Sequence, residues 1–211
     1  MKSKNRCSKL LSAALSVALL LTTTLVNTSA ARADVDAWLK AWTTVGSAGT
    51  IDEADTGKLV LSGSTVAFPE LLPPVLEPFA FTPILPLETV TATVRYNVVA
   101  TDNLFEGGTH LGLRSRLRDD GNNAQVILRL IEVNILTGAS AVILTLDSNN
   151  FAANANYRTE SVSTFIGNRI NFLENAYFIE ATLIQKRSPV AVFGGKPGIS
   201  VIQLNRFTPI F

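Results

Sequence analysis

The stretch TVTATVRYNVVAT, residues 89–101, decides the fold. Its apolar residues recur at every second position, which is the side-chain period of a β-strand and not that of a helix. One face carries Val90, Ala92, Val94, Tyr96, Val98 and Ala100. The opposite face carries Thr89, Thr91, Thr93, Arg95 and Asn97. The pattern therefore predicts a strand with one side in a core and the other side in water.

Seven further runs of β-forming residues flank this strand, and turn-forming residues separate them. They are residues 58–68, 110–118, 124–135, 141–146, 157–166, 176–187 and 199–207. No segment keeps a helical period, and short strands without helical crossovers favour two packed antiparallel sheets. The sequence therefore predicts an all-β, antiparallel two-sheet sandwich or jelly roll of about eight strands.

Two short segments predict hairpins between consecutive strands. The first is DDGNN at 119–123, whose residues tolerate the positive φ of tight turns and would join the runs 110–118 and 124–135. The second is LTGA at 136–139, which leads into the run 141–146. Together they predict three consecutive antiparallel strands.

The first residues are typical of a secretory signal. Basic residues precede an apolar run at 10–21 and a polar stretch at 22–29, and Ala31 and Ala33 form a small-x-small cleavage site. The apolar run is shorter than the roughly 20 residues that span a bilayer. We therefore expect a signal peptide over 1–33, and a mature protein that is secreted to the periplasm, cell surface or medium and has no membrane span.

Removal of the signal changes the charge of the chain. Five of the 18 basic residues lie within it and all 17 acidic residues lie after it, which leaves a net charge of −4. Binding to a phosphate backbone depends on Lys and Arg contacts, so we expect no nucleic-acid partner. The single cysteine, Cys7, leaves with the signal, so no disulfide can form and the core must provide the stability.

The mature chain is expected to have two parts. Residues 34–57 form an N-terminal segment in which a short helix would place Trp38 and Trp42 on one side. Residues 58–211 form the β-sandwich domain, including a Pro-rich crossover at 68–87 whose proline density excludes helix and central strand. That crossover either packs on the sandwich or forms an apolar arm that docks on a protein partner.

The run 110–118 carries three arginines in alternation with Leu113, Ser115 and Leu117. The period of two places Arg114, Arg116 and Arg118 on one face of one strand. One interpretation is a solvated face with cross-strand partners such as glutamates. The other is a ligand-binding face for an anion such as an acidic polysaccharide, since guanidinium groups match carboxylate and phosphate oxygens in pairs.

Catalytic and metal-binding patterns are weak. His110 would need an activated nucleophile and an acid such as Asp102 or Glu106, and no G-x-S-x-G motif is present. Two oxygen-rich clusters have ligands of the kind that calcium prefers, but neither follows a calcium-loop pattern. They are Asp52, Glu53 and Asp55, and Asp119, Asp120, Asn122 and Asn123. We expect no metal and no cofactor.

The leading hypothesis is a non-catalytic exported protein that binds or assembles at the cell envelope or outside the cell, with an acidic glycan or envelope polymer as its partner. An extracellular polysaccharide hydrolase that uses carboxylates is the first alternative, and the sequence does not give the distance between such groups. An outer-membrane β-barrel is the second, because the chain ends in an aromatic residue, Phe211.

Cleavage before Asp34 gives the first testable expectation. Mass spectrometry of the exported protein should find a mature N-terminus at Asp34, because signal peptidase accepts small side chains at Ala31 and Ala33. Exported material that still contains residues before Ala33 would contradict this assignment.

Overall fold

The alternating run at 89–101 forms a strand in the computed structural model of the protein. Ala92, Val94, Tyr96 and Val98 are buried, and the residues between them are half-buried or exposed. The strand ends at Val98, so the predicted run is about three residues too long at its C-terminal end. The structure describes residues 41–69, 88–101, 104, 108–121, 123–167, 170–187 and 195–208.

Strands make up almost all of the regular structure in these ranges. They are β1 (Trp42–Val45), β2 (Thr50–Ile51), β3 (Val60–Ser62), β4 (Thr65–Ala67), β5 (Glu88–Val98), β6 (His110–Asp119), β7 (Ala124–Asn134), β8 (Ser140–Asp147), β9 (Asn154–Phe165), β10 (Asn175–Arg187) and β11 (Gly198–Phe207). Short 3-10 turns lie at Gly46–Ala48, Glu53–Asp55 and Ser148–Asn150. None of the helices in the described ranges has the length and hydropathy to cross a membrane.

The strands form two antiparallel sheets, which confirms the predicted fold class. Sheet A has the order β3-β4-β11-β6-β9, and β1 also pairs with β11. Sheet B has the order β2-β5-β10-β7-β8. Strands β1 and β2 lie before residue 58, so the 34–57 segment contributes to both sheets and the sandwich begins earlier in the chain than the sequence predicts. The compact unit spans Ala41–Thr208.

The first predicted hairpin is wrong and the second is confirmed. Strand β6 belongs to sheet A and β7 to sheet B, so the turn at 119–123 crosses from one sheet to the other. Gly121 has the expected positive φ of 113°. A positive φ at a turn residue indicates that the chain reverses there, but it does not indicate which sheet contains the next strand. Strands β7 and β8 do pair, and Gly138 in their turn has a φ of 70°.

Two smaller expectations also fail near the N-terminus. The run 58–68 is not one strand but the hairpin β3–β4, because Gly63 adopts a φ of 56° and reverses the chain. Trp42 lies in β1 opposite Leu204 and is buried, so no helix reaches it. Three other predictions lie outside the described residues. They are the remainder of the predicted helix, the signal peptide at 1–33, and residues 70–87 of the Pro-rich crossover.

The core lies between the two sheets and consists mainly of leucine and isoleucine. Its largest fully buried side chains are Leu104, Leu111, Leu113, Leu117, Leu128, Leu130, Leu146, Ile179, Leu183, Ile199, Ile202 and Leu204. Burial of one such side chain contributes roughly 1.5–3 kcal/mol relative to its exposure. A core of this size accounts for folding without a disulfide.

Polar contacts also connect the two sheets. The Tyr96 hydroxyl, on the inner face of sheet B, donates a 2.7 Å hydrogen bond to the carbonyl of Gly46. Gly46 packs so closely on sheet A that a Cβ there would lie 2.1 Å from the carbonyl oxygen of Ile199. Burial raises the pKa of Tyr96 well above its usual range, so the phenol stays protonated and remains a donor.

A buried arginine holds the loops at one end of the sandwich. Arg206, near the end of β11, is 6% exposed and donates to the carbonyl oxygens of Gly108 (3.1 Å), Leu104 (3.3 Å) and Gly167 (2.7 Å). These acceptors lie in the β5–β6 and β9–β10 connections. Desolvation lowers the pKa of Arg206 below its usual value, and a guanidinium still remains charged at neutral pH.

The change Arg206→Met should lower the free energy of unfolding by about 3 kcal/mol, because it leaves buried carbonyl groups without their donor. Urea denaturation followed by circular dichroism measures the loss. Arg116→Met is the matched control, because that side chain is exposed and its removal should be close to neutral. Equal stability of the parent and Arg206→Met would contradict the role of the buried guanidinium.

Candidate functional site

The three arginines lie together on the outer face of sheet A. Strand β6 runs between β11 and β9, and its residues Leu111, Leu113 and Leu117 are fully buried in the core. Because side chains alternate along a strand, Arg114, Arg116 and Arg118 point to the side opposite to these leucines. The surface at Arg114, Arg116 and Arg118 is called the arginine face below.

Arg114 is half-buried and is held by the neighbouring strand. Its Nε and Nη2 atoms donate to Gln203 Oε1 at 2.9 and 2.8 Å. Gln203 lies directly opposite Arg114 in the β6–β11 pairing, and its Nε2 donates to Thr43 Oγ1 at 3.3 Å. A chain of neutral amide and hydroxyl groups therefore fixes this guanidinium.

Arg118 is also engaged by the fold. Its Nε donates to the carbonyl oxygen of Lys196 at 2.8 Å, and its guanidinium carbon lies 5.3 Å from the centre of the Tyr157 ring. The distance to the ring is within the range of a cation–π contact. Arg118 thus joins β6 to the segment before β11 and to β9.

Arg116 differs from its two neighbours because it is exposed. It lies between Val201 of β11 and Thr159 of β9, and it makes no hydrogen bond or ion pair in the part of the chain that the structure describes. A shallow groove of about 500 Å³ is open above it, lined by Arg114, Arg116, Thr159, Val201 and Gln203. The guanidinium of Arg116 is therefore accessible from this groove.

The residues opposite the arginines in the sheet are neutral. They are Ser161 and Gln203 beside Arg114, Thr159 and Val201 beside Arg116, and Gly198 beside Arg118. The glutamates that a purely structural face would place at these positions are not there. Arg114 and Arg118 have structural contacts instead, and Arg116 has no acidic strand neighbour among the described residues.

The outer face of sheet B shows how the same fold neutralises an arginine. Arg95 Nη1 lies 2.7 Å from Asp52 Oδ2, and Arg95 Nη2 lies 3.3 Å from Glu180 Oε2. The hydrogen bond to Asp52 raises the pKa of Arg95, while the backbone N–H of Ala54 and then Arg95 lower the pKa of Asp52. Arg129 contributes a longer contact of 3.9 Å to Glu180. Cross-strand acids thus accompany the sheet B arginines.

His110 lies at the start of β6 between two aromatic rings. The ring centroids of Phe165 and Phe207 are 5.5 and 5.8 Å from the imidazole, and His110 Nδ1 lies 3.1 Å from Thr109 Oγ1. Within the described ranges no carboxylate bonds to this histidine. The suggested acids Asp102 and Glu106 lie outside those ranges. The contacts that surround His110 are aromatic, and the sequence did not indicate them.

The two oxygen-rich clusters have structural partners. Asp55 accepts from Lys58 Nζ at 2.6 Å and from the backbone of Thr93 at 2.7 Å. Asp119 accepts from Ser148 Oγ and from the backbone of Gly121. In the described ranges, which omit Asn122, no three histidine, cysteine, aspartate or glutamate residues are grouped to hold a metal ion.

Sequence reasoning found the arginines and missed the residues that complete the groove. Thr159, Val201 and Gln203 lie on strands β9 and β11, at least 40 residues along the chain from Arg116. No local signal connects them, because strand order in a sheet is a long-range property.

Comparisons with known proteins do not assign the chain to a family. No protein-family model matches the chain, and no curated protein matches it. Solved structures that match the chain include one described as "Structure of PfGH50B", which is 13% identical over 81% of this chain and 23% of its own, with a TM-score of 0.36.

Two further solved structures match the chain at similarly low sequence identity. One holds the CBM22-1 and GH10 modules of the Clostridium thermocellum xylanase 10B with xylohexaose; it is 10% identical over 82% of this chain and 26% of its own, with a TM-score of 0.32. The other, described as "CBM4 structure and function", is 12% identical over 79% of this chain and 90% of its own, with a TM-score of 0.29. The chain spans about a quarter of the length of the first two. Resemblance at this level says nothing about ligand or activity.

Arg118 and Arg116 should differ in their contribution to stability. Arg118→Gln should lower the free energy of unfolding by about 1 kcal/mol, because it removes a backbone hydrogen bond and a cation–π contact. Arg116→Gln should change it by less than about 0.5 kcal/mol. Paired urea denaturation curves measure both values, and equal losses would mean that the fold uses Arg116 as it uses Arg118.

Proposed function

We propose that this protein is an exported, non-catalytic β-sandwich that binds an acidic polysaccharide in the groove on the arginine face. The observation that carries the proposal is Arg116, an exposed arginine with neutral strand neighbours at the centre of that groove. Exposed like charges on one strand repel unless counter-charges meet them. A ligand carboxylate or sulfate is the counter-charge that fits the guanidinium.

The groups beside Arg116 favour a sugar over a simple anion. Thr159 of β9 presents an exposed hydroxyl in the groove, and Ser161, two residues further along β9, is also exposed. Such groups hydrogen-bond to the hydroxyls of a sugar ring, while Arg116 meets its acidic group. A polymer with one anionic group per repeat therefore suits the groove better than a densely charged polyphosphate.

The shape of the groove favours a polymer. It is shallow and open, and the arginines follow β6 at intervals of about 6.5 to 7 Å, which is two residues of strand rise. A closed pocket would suit one small molecule, whereas an open groove along a strand leaves room for a chain to continue past the site. The mature chain has a negative net charge, so its surface as a whole does not attract polyanions. Binding of a polyanion then depends on the local cationic groove.

Polygalacturonate and its fully methyl-esterified form provide a direct test, since they differ only in the charged group. Isothermal titration calorimetry should detect binding to the acid and none to the ester. The affinity should fall as salt rises, because salt screens exposed charges. Arg116→Gln should weaken binding about tenfold, which corresponds to one charge-assisted hydrogen bond of about 1.4 kcal/mol.

Arg129→Gln is the matched control for that measurement. Arg129 is also a partly exposed sheet arginine, but it lies on the outer face of sheet B beside Glu180. Its removal should leave binding unchanged. If Arg116→Gln binds polygalacturonate as tightly as the parent at low and high salt, the proposed anion groove is wrong. Release of new reducing ends from the polymer would favour the hydrolase alternative.

A further inference from the structure

Strand β8 is the outermost strand of sheet B, and it pairs only with β7 among the described residues. The backbone groups on its other side form an unpaired row, which is the surface to which another strand can add. Ser140, Ala141, Val142 and Thr145 are exposed along it.

The edge of β8 lacks the residues that usually protect such strands. The segment 140–146, SAVILTL, contains no charged residue, no proline and no glycine. Natural edges are commonly blunted by lysine, by proline or by short length. Apart from Asp147 at its end and a bulge at Ile143, this long apolar edge has none of these protections, so a specific partner is the physical alternative to aggregation.

The other edges of the described sandwich are unsuitable. Strands β2 and β3 have two and three residues, which are too few for a stable ladder. Strand β9 is long, but its exposed positions are mostly polar, and it carries an ion pair in which Arg158 Nε lies 2.9 Å from Glu160 Oε1. Among the described strands, β8 alone combines length with an apolar edge.

Exposed apolar side chains continue from the edge. Val142 is 52% exposed and lies in one cross-strand row with Ile131 and Phe178. At the β7–β8 turn Leu136 is 91% exposed, and Asn134 Oδ1 holds that turn by accepting from the backbone N–H of Leu136 at 3.1 Å. A partner at β8 would cover part of this surface.

We propose that β8 pairs with β8 of a second copy of this chain, antiparallel about a two-fold axis, so that two five-stranded B sheets join into one. The edge is uncharged between Ser140 and Leu146, so it meets its own copy without like-charge repulsion. Two-fold pairing repeats each contact and uses the one suitable edge of each copy, which closes the assembly at a dimer. The bulge at Ile143 bends β8 and further opposes an extended fibre.

Sedimentation velocity of the purified protein over a wide concentration range tests the pairing. The protein should shift from monomer to dimer as its concentration rises. Val142→Lys should raise the dimer dissociation constant roughly tenfold or more, because a lysine opposes strand addition. Val60→Lys is the matched control, since Val60 is 46% exposed on the short β3 and should leave the dimer unchanged. A monomer at every concentration, or equal weakening by both lysines, would overturn the proposal.

Hydrogen exchange on the unsubstituted protein gives a second readout that does not depend on how a variant folds. The outward backbone amides of β8 should exchange more slowly when the dimer is populated, because the partner strand then accepts their hydrogen bonds. Amides of the β9 edge should show no such change. Protection of β9 rather than β8 would place the interface elsewhere and overturn the assignment.

Discussion

Burial of one face of each sheet against the other is the constraint on which the rest of the structure depends. In β6 this constraint makes the side chains of Leu111, Leu113 and Leu117 point toward the core. The strand period of two then leaves the arginines no orientation except outward. A shift of the pairing by one residue would bury three guanidinium groups, which is prohibitive without partners. The same leucines that stabilise the sandwich therefore place the arginine face.

The arginines on the two outer faces differ in their neighbours. On sheet B, Glu180 and Asp52 lie beside Arg95 and neutralise its charge. On sheet A, the strand neighbours of Arg116 are a threonine and a valine. Since both faces have the same fold and strand geometry, the difference arises from the residues placed there. Neutralised charge serves solubility, and exposed charge in a groove is available for recognition.

The sequence predicted most strands and the common strand face of three arginines. Regular alternation, as at Val94 and Tyr96, is a local signal, and it correctly indicated the buried side chains up to Val98, whereas Ala100, beyond the end of the strand, is exposed. It also placed Arg114, Arg116 and Arg118 together. Sheet membership is not local, which is why the turn at Gly121 was assigned to a hairpin and why the partner Gln203 could not be inferred. Short strands such as β2 have too few residues to show a period.

The strand order has a consequence for the kinetics of folding. Only β3–β4 and β7–β8 are hairpins, and every other consecutive pair of strands lies in opposite sheets. Nearly all pairings must therefore wait until distant parts of the chain meet, and topologies of this kind fold slowly. Slow folding would suit the export proposed above, because a chain that crosses a membrane must remain unfolded until it has passed. It would lengthen the time in which a translocation machinery can still thread the chain.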